Sequence, residues 1–135
     1  MSRVLLDTSA YSAMRRGDER LLAPVRRAVE VFLTPVVIGE LLFGFVGGGL
    51  EPENRSLLRE FVEAPRVAVL AIDDEDTAER YPAIRTYLRQ QGKPIPVNDL
   101  WIAASAAQHG LHLLTLDDHF NRVPQLLVEY FEPRA

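Results

Sequence analysis

The sequence predicts one α/β domain over residues 1–135, with a parallel sheet of four or five strands flanked by helices. Three observations point to this fold class. Short apolar runs without polar alternation recur along the chain, as expected of strands that are covered on both faces. Segments with helix-capping residues separate these runs. The chain has 135 residues, of which 47% are hydrophobic and 25% charged, and this size and composition are typical of a single globular domain.

Five apolar runs are predicted strands because each is too short for a helix. They occupy residues 4–6, 31–33, 67–70, 111–114 and 126–128. Strands that alternate with helices along a chain form parallel sheets. Ligands of such sheets bind beyond the carboxyl ends of the strands, so the residues that follow each run are the candidates for function.

Helices are predicted in the gaps between the runs. Thr34 and Pro35 combine an N-cap hydroxyl with a first-turn proline, which predicts a helix over residues 35–46 that ends at three glycines. Further helices are expected over residues 52–63, 73–91 and 98–110. Asp73 and Asn98 are the predicted N-caps of the last two, and Pro82 predicts a kink or break within the helix over residues 73–91.

Two aspartates follow predicted strands. Asp7 comes directly after the first strand, and Asp117 comes two residues after Thr115, near the end of the fourth. Both are therefore expected at the ligand edge of the sheet. Each could also be a helix N-cap or a turn residue, because aspartates commonly take those positions after a strand.

Glu40 and Asp99 are carboxylates in apolar surroundings. The helix around Glu40 is apolar on nearly every face, so it must be buried or lie in an interface, and the helical neighbours of Asp99 are isoleucine and alanines. No lysine or arginine occurs within residues 28–54 or 94–121. A buried, unpaired charge is costly, so each carboxylate needs a cation, a distant base or a proton.

A divalent cation would relieve the repulsion among four carboxylates at one sheet edge. Oxygen ligands suit Mg²⁺ or Mn²⁺, and a chain with no cysteine and no HExxH motif lacks the usual zinc ligands. Mg²⁺ held in this way also takes phosphate oxygens, which indicates phosphodiester chemistry. The histidines at 109, 112 and 119 do not have metal-ligand helical spacing and are expected at the surface or at helix ends, with contact to the substrate as the alternative for His119.

Charge and hydropathy limit the partners of the chain. The net charge of −4 by itself argues against nucleic acid, yet residues 1–27 hold six arginines against three acidic residues, which would offer a surface for phosphates. No apolar run is long enough to cross a membrane, and the start of the chain lacks the pattern of a signal peptide. Together with the lack of cysteine, these features predict a cytoplasmic protein without membrane contact.

Four short motifs resemble those of PIN-domain ribonucleases, and more closely those of the VapC-type toxins of toxin–antitoxin pairs. In order and spacing they cover nearly the whole chain. The motifs are Leu6-Asp7-Thr8-Ser9, Val37-Ile38-Gly39-Glu40-Leu41 with Gly44 following, Gly92 through Asn98-Asp99-Leu100-Trp101-Ile102-Ala103-Ala104, and Leu114-Thr115-Leu116-Asp117 with Phe120 following.

The resemblance implies a PIN-like, Rossmann-like three-layer domain that cleaves RNA with Mg²⁺ or Mn²⁺. The metal-binding and catalytic quartet of the family is matched by Asp7, Glu40, Asp99 and Asp117, and its supporting hydroxyl positions are matched by Thr8, Ser9 and Thr115. The resemblance also implies a homodimer and inhibition by a VapB-type antitoxin that inserts a segment into the active-site groove. Asp118, beside Asp117, leaves open which of these two carboxylates faces the metal.

Three functions are compatible with these features. In an endoribonuclease, one or two metal ions held by the quartet would activate a water for in-line attack on phosphorus. In a catalytically idle PIN-fold protein, the apolar stretch over residues 36–46 would mainly bind partners. Aspartyl-phosphate chemistry would use Asp7 as the nucleophile, although Ser9 stands where a DxD motif has its second aspartate.

Overall fold

The structure is a computed structural model that describes residues 2–134. Within these residues it contains five strands, six α-helices and one 3₁₀ helix. The strands are β1 (Arg3–Leu6), β2 (Glu30–Leu33), β3 (Val67–Val69), β4 (His112–Thr115) and β5 (Leu127–Tyr130). The helices are α1 (Thr8–Arg15), α2 (Glu19–Arg27), α3 (Pro35–Phe45), α4 (Glu51–Glu63), α5 (Glu75–Gln90) and α6 (Val97–His109), and the 3₁₀ helix (Asp118–Arg122) connects β4 to β5.

The strands form one sheet in the order β3-β2-β1-β4-β5, and every neighbouring pair is parallel. From β1 the chain moves outward to β2 and β3, and it then returns to place β4 on the other side of β1. The strand order therefore reverses between β1 and β4. Open parallel sheets bind their ligands at such a switch point, beyond the carboxyl ends of the strands.

The two strands at the switch point carry the centre of the hydrophobic core. Val4, Leu5 and Leu6 of β1 are at most 1% exposed, and Leu113 and Leu114 of β4 are fully buried. Each such side chain contributes roughly 1.5–3 kcal/mol to folding when it leaves water. The residues that follow β1 and β4 are thus attached to well-packed strands.

The predicted parallel α/β sheet is confirmed, with five strands whose ends differ by at most two residues from the predicted runs. The first predicted helix is confirmed as α3, in which the Thr34 hydroxyl accepts a hydrogen bond from the Val37 amide at 3.2 Å. The last helix ends as predicted at Gly110, whose φ of 62° is a left-handed conformation that favours glycine.

Two predicted helix caps are wrong, and the break that was one of the two possibilities at Pro82 is absent. Asp74 caps α5 instead of Asp73, because the Asp74 carboxylate accepts the Asp76 amide. α5 continues through Pro82 without a break, since one missing backbone donor does not end a helix of 16 residues whose face packs on the core. Asn98 does not cap α6, which begins one residue earlier.

The structure adds two helices, α1 and α2, between the first two strands, where the sequence pattern assigned no particular helix. Both are short, and α2 contains Pro24, so local propensity gives a weak signal. Tertiary packing stabilises them, because α1 buries Ala10, Tyr11, Ala13 and Met14 in the core. Among residues 2–134, no helix combines the length and the apolar character that crossing a membrane requires.

Candidate metal centre

Asp7 lies at the end of β1 in a network of hydroxyl groups. The Thr115 hydroxyl donates to Asp7 Oδ2 at 2.6 Å, and the Ser9 hydroxyl lies 2.8 and 2.9 Å from the two Asp7 oxygens. Asp7 Oδ1 also accepts the Ala10 amide at 2.8 Å and so caps α1. Asp7 therefore caps α1 and also lies at the ligand edge of the sheet. On sequence grounds these two roles are alternatives.

The two hydroxyl groups are themselves held by the backbone after β4. The Ser9 oxygen accepts the Leu116 amide at 2.9 Å, and the Thr115 oxygen accepts the Asp117 amide at 2.8 Å. Each hydroxyl therefore accepts from a fixed amide and donates its single hydrogen towards Asp7. This arrangement links the end of β1 to the segment after β4 and determines where the Asp7 carboxylate lies.

Burial raises the pKa of Asp7 to about 6, although hydrogen bonds from Thr115, Ala10 and Ser9 oppose this shift. The negative charge of Asp117 raises the Asp7 pKa further. Asp7 is only 4% exposed. A carboxylate that is desolvated and close to another carboxylate is a favourable ligand for a cation, because the cation removes both penalties.

Asp99, Asp117 and His119 form the closest group of ligand atoms. One ligand atom from each residue lies within 4.8 Å of the other two. His119 Nδ1 is 3.2 Å from Asp99 Oδ2 and 3.1 Å from Asp117 Oδ1. Asp117 also accepts the His119 amide at 2.9 Å and so caps the 3₁₀ helix, which positions both of these side chains.

Glu40 projects from α3 and is held by two donors from other elements. The Thr8 hydroxyl donates to Glu40 Oε1 at 2.6 Å, and the Asn98 amide group donates to Glu40 Oε2 at 3.3 Å. Asn98 is adjacent to Asp99 in the first turn of α6. Glu40 and Asp7 do not belong to the closest group of ligand atoms and lie around it.

The four carboxylates share one electrostatic environment. Burial raises the pKa of Asp99, and the charges of Asp117 and Glu40 add to the increase, while the hydrogen bond from His119 opposes it. Within residues 2–134, no lysine or arginine forms an ion pair with any of the four. The four carboxylates offer the oxygen ligands that Mg²⁺ and Mn²⁺ take, and the imidazole nitrogen of His119 lies beside two of them.

The structure places all seven predicted site residues at this edge of the sheet. The quartet is Asp7, Glu40, Asp99 and Asp117, and the hydroxyl residues are Thr8, Ser9 and Thr115. Asp117 is the carboxylate that faces Asp99 and His119, whereas Asp118 is exposed. Their roles in metal binding and catalysis stay predictions.

Sequence reasoning missed two residues of the site, His119 and Asn98. Ligand spacing along a single helix does not reveal His119, because its ring contacts Asp99, which lies twenty positions earlier in another element. Asn98 was assigned to a helix cap and instead contacts Glu40. The proximity of both residues to predicted ligands in the sequence was the available signal.

Two open grooves border the candidate metal centre. One is lined by residues of α1, the segment after β4 and the end of the chain, including Ser9, Arg16, Asp117 and Tyr130. The other lies between α3 and the start of α6 and includes Thr8, Glu40, Phe43 and Asn98. The carboxylates therefore lie where an extended molecule could pass across the sheet edge.

Comparison with known protein families decides the identity of this fold. The family model described as the PIN domain matches residues 4–126. The chain belongs to the PIN-domain family. The predicted resemblance and the predicted PIN-like α/β fold are thus confirmed.

Relatives of this PIN domain carry the VapC and VapBC names. It is 34% identical over 119 residues to Ribonuclease VapC5 of Mycobacterium tuberculosis, covering 86% of this chain and 84% of that protein. Among solved structures it is similar to VapBC-1 from nontypeable Haemophilus influenzae, with 25% identity, a TM-score of 0.81 and coverage of 95% and 97% of the two chains. It is also similar to VapBC-5, from the VapBC family of toxin–antitoxin systems in Mycobacterium tuberculosis, with 28% identity, a TM-score of 0.75 and coverage of 98% and 100%.

Proposed function

We propose that this PIN domain is a Mg²⁺- or Mn²⁺-dependent endoribonuclease that acts as the toxin of a type II toxin–antitoxin pair. One observation carries the proposal. Four acidic side chains from distant parts of the sequence converge at the switch point of the sheet. Burial raises the pKa of two of them, Asp7 and Asp99, so the charged forms of these two side chains are disfavoured. Such a cluster is costly for folding, and a bound cation would offset that cost.

The donor set defines which residues would hold the cation. Asp99 and Asp117 present the closest oxygens, Asp7 lies beside Asp117, and Glu40 lies on the α3 side. When bound, the divalent ion supplies an activated water and neutralises the charge that develops on the phosphate. No serine or cysteine nucleophile is required for this chemistry.

Other side chains of this site would orient the carboxylates. Ser9 and Thr115 hold the Asp7 carboxylate, and Thr8 and Asn98 hold the two Glu40 oxygens. Glu40 would either bind the ion or orient the attacking water. Fixed carboxylates favour in-line cleavage because they need no rearrangement when the substrate arrives.

RNA cleavage by Asp99→Asn tests the proposal. We expect purified wild-type protein, free of antitoxin, to cleave RNA with Mg²⁺ or Mn²⁺ and to stop in EDTA, and we expect Asp99→Asn to be inactive while its circular dichroism spectrum is unchanged. Asp118→Asn is the matched control, because it removes the same charge from an exposed neighbour of the site. Full activity of Asp99→Asn would contradict the proposal. If wild-type protein cleaves RNA with neither Mg²⁺ nor Mn²⁺, the catalytically idle, partner-binding alternative is favoured.

An antitoxin of the VapB type and a second copy of the chain are the proposed protein partners. The support is an exposed apolar surface at the end of α3, formed by Phe43, Val46 and Leu50, which are 81%, 61% and 63% exposed. Apolar residues exposed together in this way mark a protein interface. This surface continues into the groove beside Glu40, because Phe43 lines both. An antitoxin segment bound there would cover the candidate metal centre.

A further inference from the structure

We infer that His119 is a ligand of the metal ion and that it makes this site selective for Mn²⁺ over Mg²⁺. The inference rests on the proposed metal-dependent function and goes beyond it, because the acidic quartet alone contains only oxygen ligands. Mg²⁺ takes oxygen ligands almost exclusively, whereas an imidazole nitrogen favours transition-metal ions.

The distances between the ligand atoms carry the inference. His119 Nδ1 lies 3.2 Å from Asp99 Oδ2 and 3.1 Å from Asp117 Oδ1. Neighbouring ligands of an octahedral ion with bonds of about 2.1 Å are about 3 Å apart. The nitrogen therefore already lies at the spacing of adjacent ligands from each of the two oxygens, and one ligand atom from each of the three residues lies within 4.8 Å of the others.

A purely hydrogen-bonding role explains this geometry less well. Nδ1 carries at most one hydrogen, so it cannot donate a linear hydrogen bond to both carboxylates at once. The two oxygens belong to different elements, α6 and the segment after β4, and both approach the same nitrogen. A cation among the three atoms would satisfy all of them.

The backbone around His119 holds the ring in place. Its amide donates to Asp117 Oδ1 at 2.9 Å, and the neighbouring Phe120 is fully buried in the core. The side chain of His119 is 34% exposed, so the ring is accessible to an ion from solvent. The contrasting histidine is His112, which pairs with Glu129 at 3.5 Å at the start of β4, the opposite end of that strand from the site.

Pulsed electron paramagnetic resonance of Mn²⁺ bound to the full chain tests the assignment. We expect the wild-type spectrum to show coupling to a nitrogen nucleus, and we expect the pattern to change from ¹⁴N to ¹⁵N when the protein is labelled with ¹⁵N-histidine. His119→Asn should lose this coupling, and His112→Asn should keep it. Mn²⁺ affinity should fall by at least about 10-fold in His119→Asn, because loss of a partner outside the ligand shell already costs roughly that much, and the effect on Mg²⁺ affinity should be much smaller.

The outcomes separate this inference from the proposed function. If Mn²⁺ binds but shows no histidine coupling, or if the coupling persists in His119→Asn, the His119 assignment is overturned while the metal-dependent function stands. If wild-type protein binds neither ion, or if Asp99→Asn binds Mn²⁺ equally well, the proposed function fails first. If His119→Asn does not fold, a variant that lacks both His109 and His112 tests the assignment instead. Retained nitrogen coupling in that variant leaves His119 as its source, and lost coupling overturns the assignment.

Discussion

Replacement of Asp7 by asparagine is expected to stabilise the metal-free protein at neutral pH. Burial raises the pKa of Asp7 from 3.8 to about 6 in the folded state. Each pKa unit corresponds to about 1.4 kcal/mol, so ionised Asp7 lowers the free energy of unfolding by about 3 kcal/mol at pH 7. Because Asp7 is almost fully buried, solvent does not screen this penalty.

The asparagine would remove the charge but would not reproduce every hydrogen bond. Its oxygen can still accept from the Ala10 amide and the Ser9 hydroxyl, which both contact Asp7 Oδ1, whereas its NH₂ group faces the Thr115 hydroxyl that now donates to Asp7 Oδ2. This mismatch costs roughly 1 kcal/mol. The expected net gain for Asp7→Asn at pH 7 is therefore about 2 kcal/mol, together with loss of RNA cleavage.

The pH dependence has a definite sign. The folded state holds the Asp7 proton more tightly than the unfolded chain does, so the stability associated with Asp7 is fully present below pH 3.8 and is lost as the pH rises from there through 6. Near pH 4 most of the penalty is absent from the wild-type protein. Asp7→Asn should then be no more stable than the wild type.

Urea unfolding in EDTA at pH 7 and pH 4 measures both differences. The control is Asp118→Asn, which changes the net charge equally at an exposed position and should alter the free energy of unfolding by less than about 0.5 kcal/mol. The reasoning is refuted if Asp7→Asn gains no more than this control at pH 7, or if its gain is the same at both pH values. Saturating Mn²⁺ should reduce the advantage of the variant, because the ion stabilises the wild-type carboxylate.

Three further predictions address the groups around the carboxylates. Thr8→Val removes the hydroxyl that donates to Glu40, and it should lower the rate of cleavage of labelled RNA by about 10- to 100-fold. The control is Thr86→Val, at an exposed position, which should leave the rate unchanged. Equal rates for the two variants would contradict a positioning role for Thr8. Arg16 lines the groove beside Asp117 and forms no ion pair within residues 2–134, so it is available to contact an RNA phosphate. Arg16→Gln should therefore raise KM and weaken the salt dependence of KM at unchanged kcat. A fall in kcat alone would argue against phosphate contact. Phe43 is the most exposed residue of the apolar surface at the end of α3. Phe43→Asp should abolish at least one of two assemblies, co-purification with the antitoxin or dimerisation in sedimentation experiments, without altering Mn²⁺ binding. If both assemblies are retained, this apolar surface is not the interface.

Local patterns in the sequence were sufficient for the fold class and for most of the site. Short apolar runs separated by capped segments predict a parallel sheet, and the chain folds into one. Because the carboxyl ends of parallel strands meet at one edge, Asp7 and Asp117 could be assigned to that edge from their positions alone. The lack of a nearby base identified Glu40 and Asp99, since an unpaired carboxylate on an apolar helix needs an external partner.

Helix boundaries and α1 and α2 depended on packing. Asp73 and Asp74 are equally suitable caps in sequence, and only the path of the backbone selects Asp74. The presence of α1 depends on burial of its apolar face against the sheet, which has no counterpart in its short local pattern.

Short-range signals were therefore enough to predict the parallel α/β architecture and the four acidic residues at its ligand edge. Long-range packing places Asp117 rather than Asp118 beside Asp99. It also makes Asp7 and Asp117 helix caps as well as site residues, and it brings His119 between two carboxylates. The difference lies in the range of the interactions. Propensity, capping and hydrophobic periodicity act over a few residues, whereas the Thr115–Asp7 hydrogen bond spans 108 positions and forms only when β1 and β4 lie side by side.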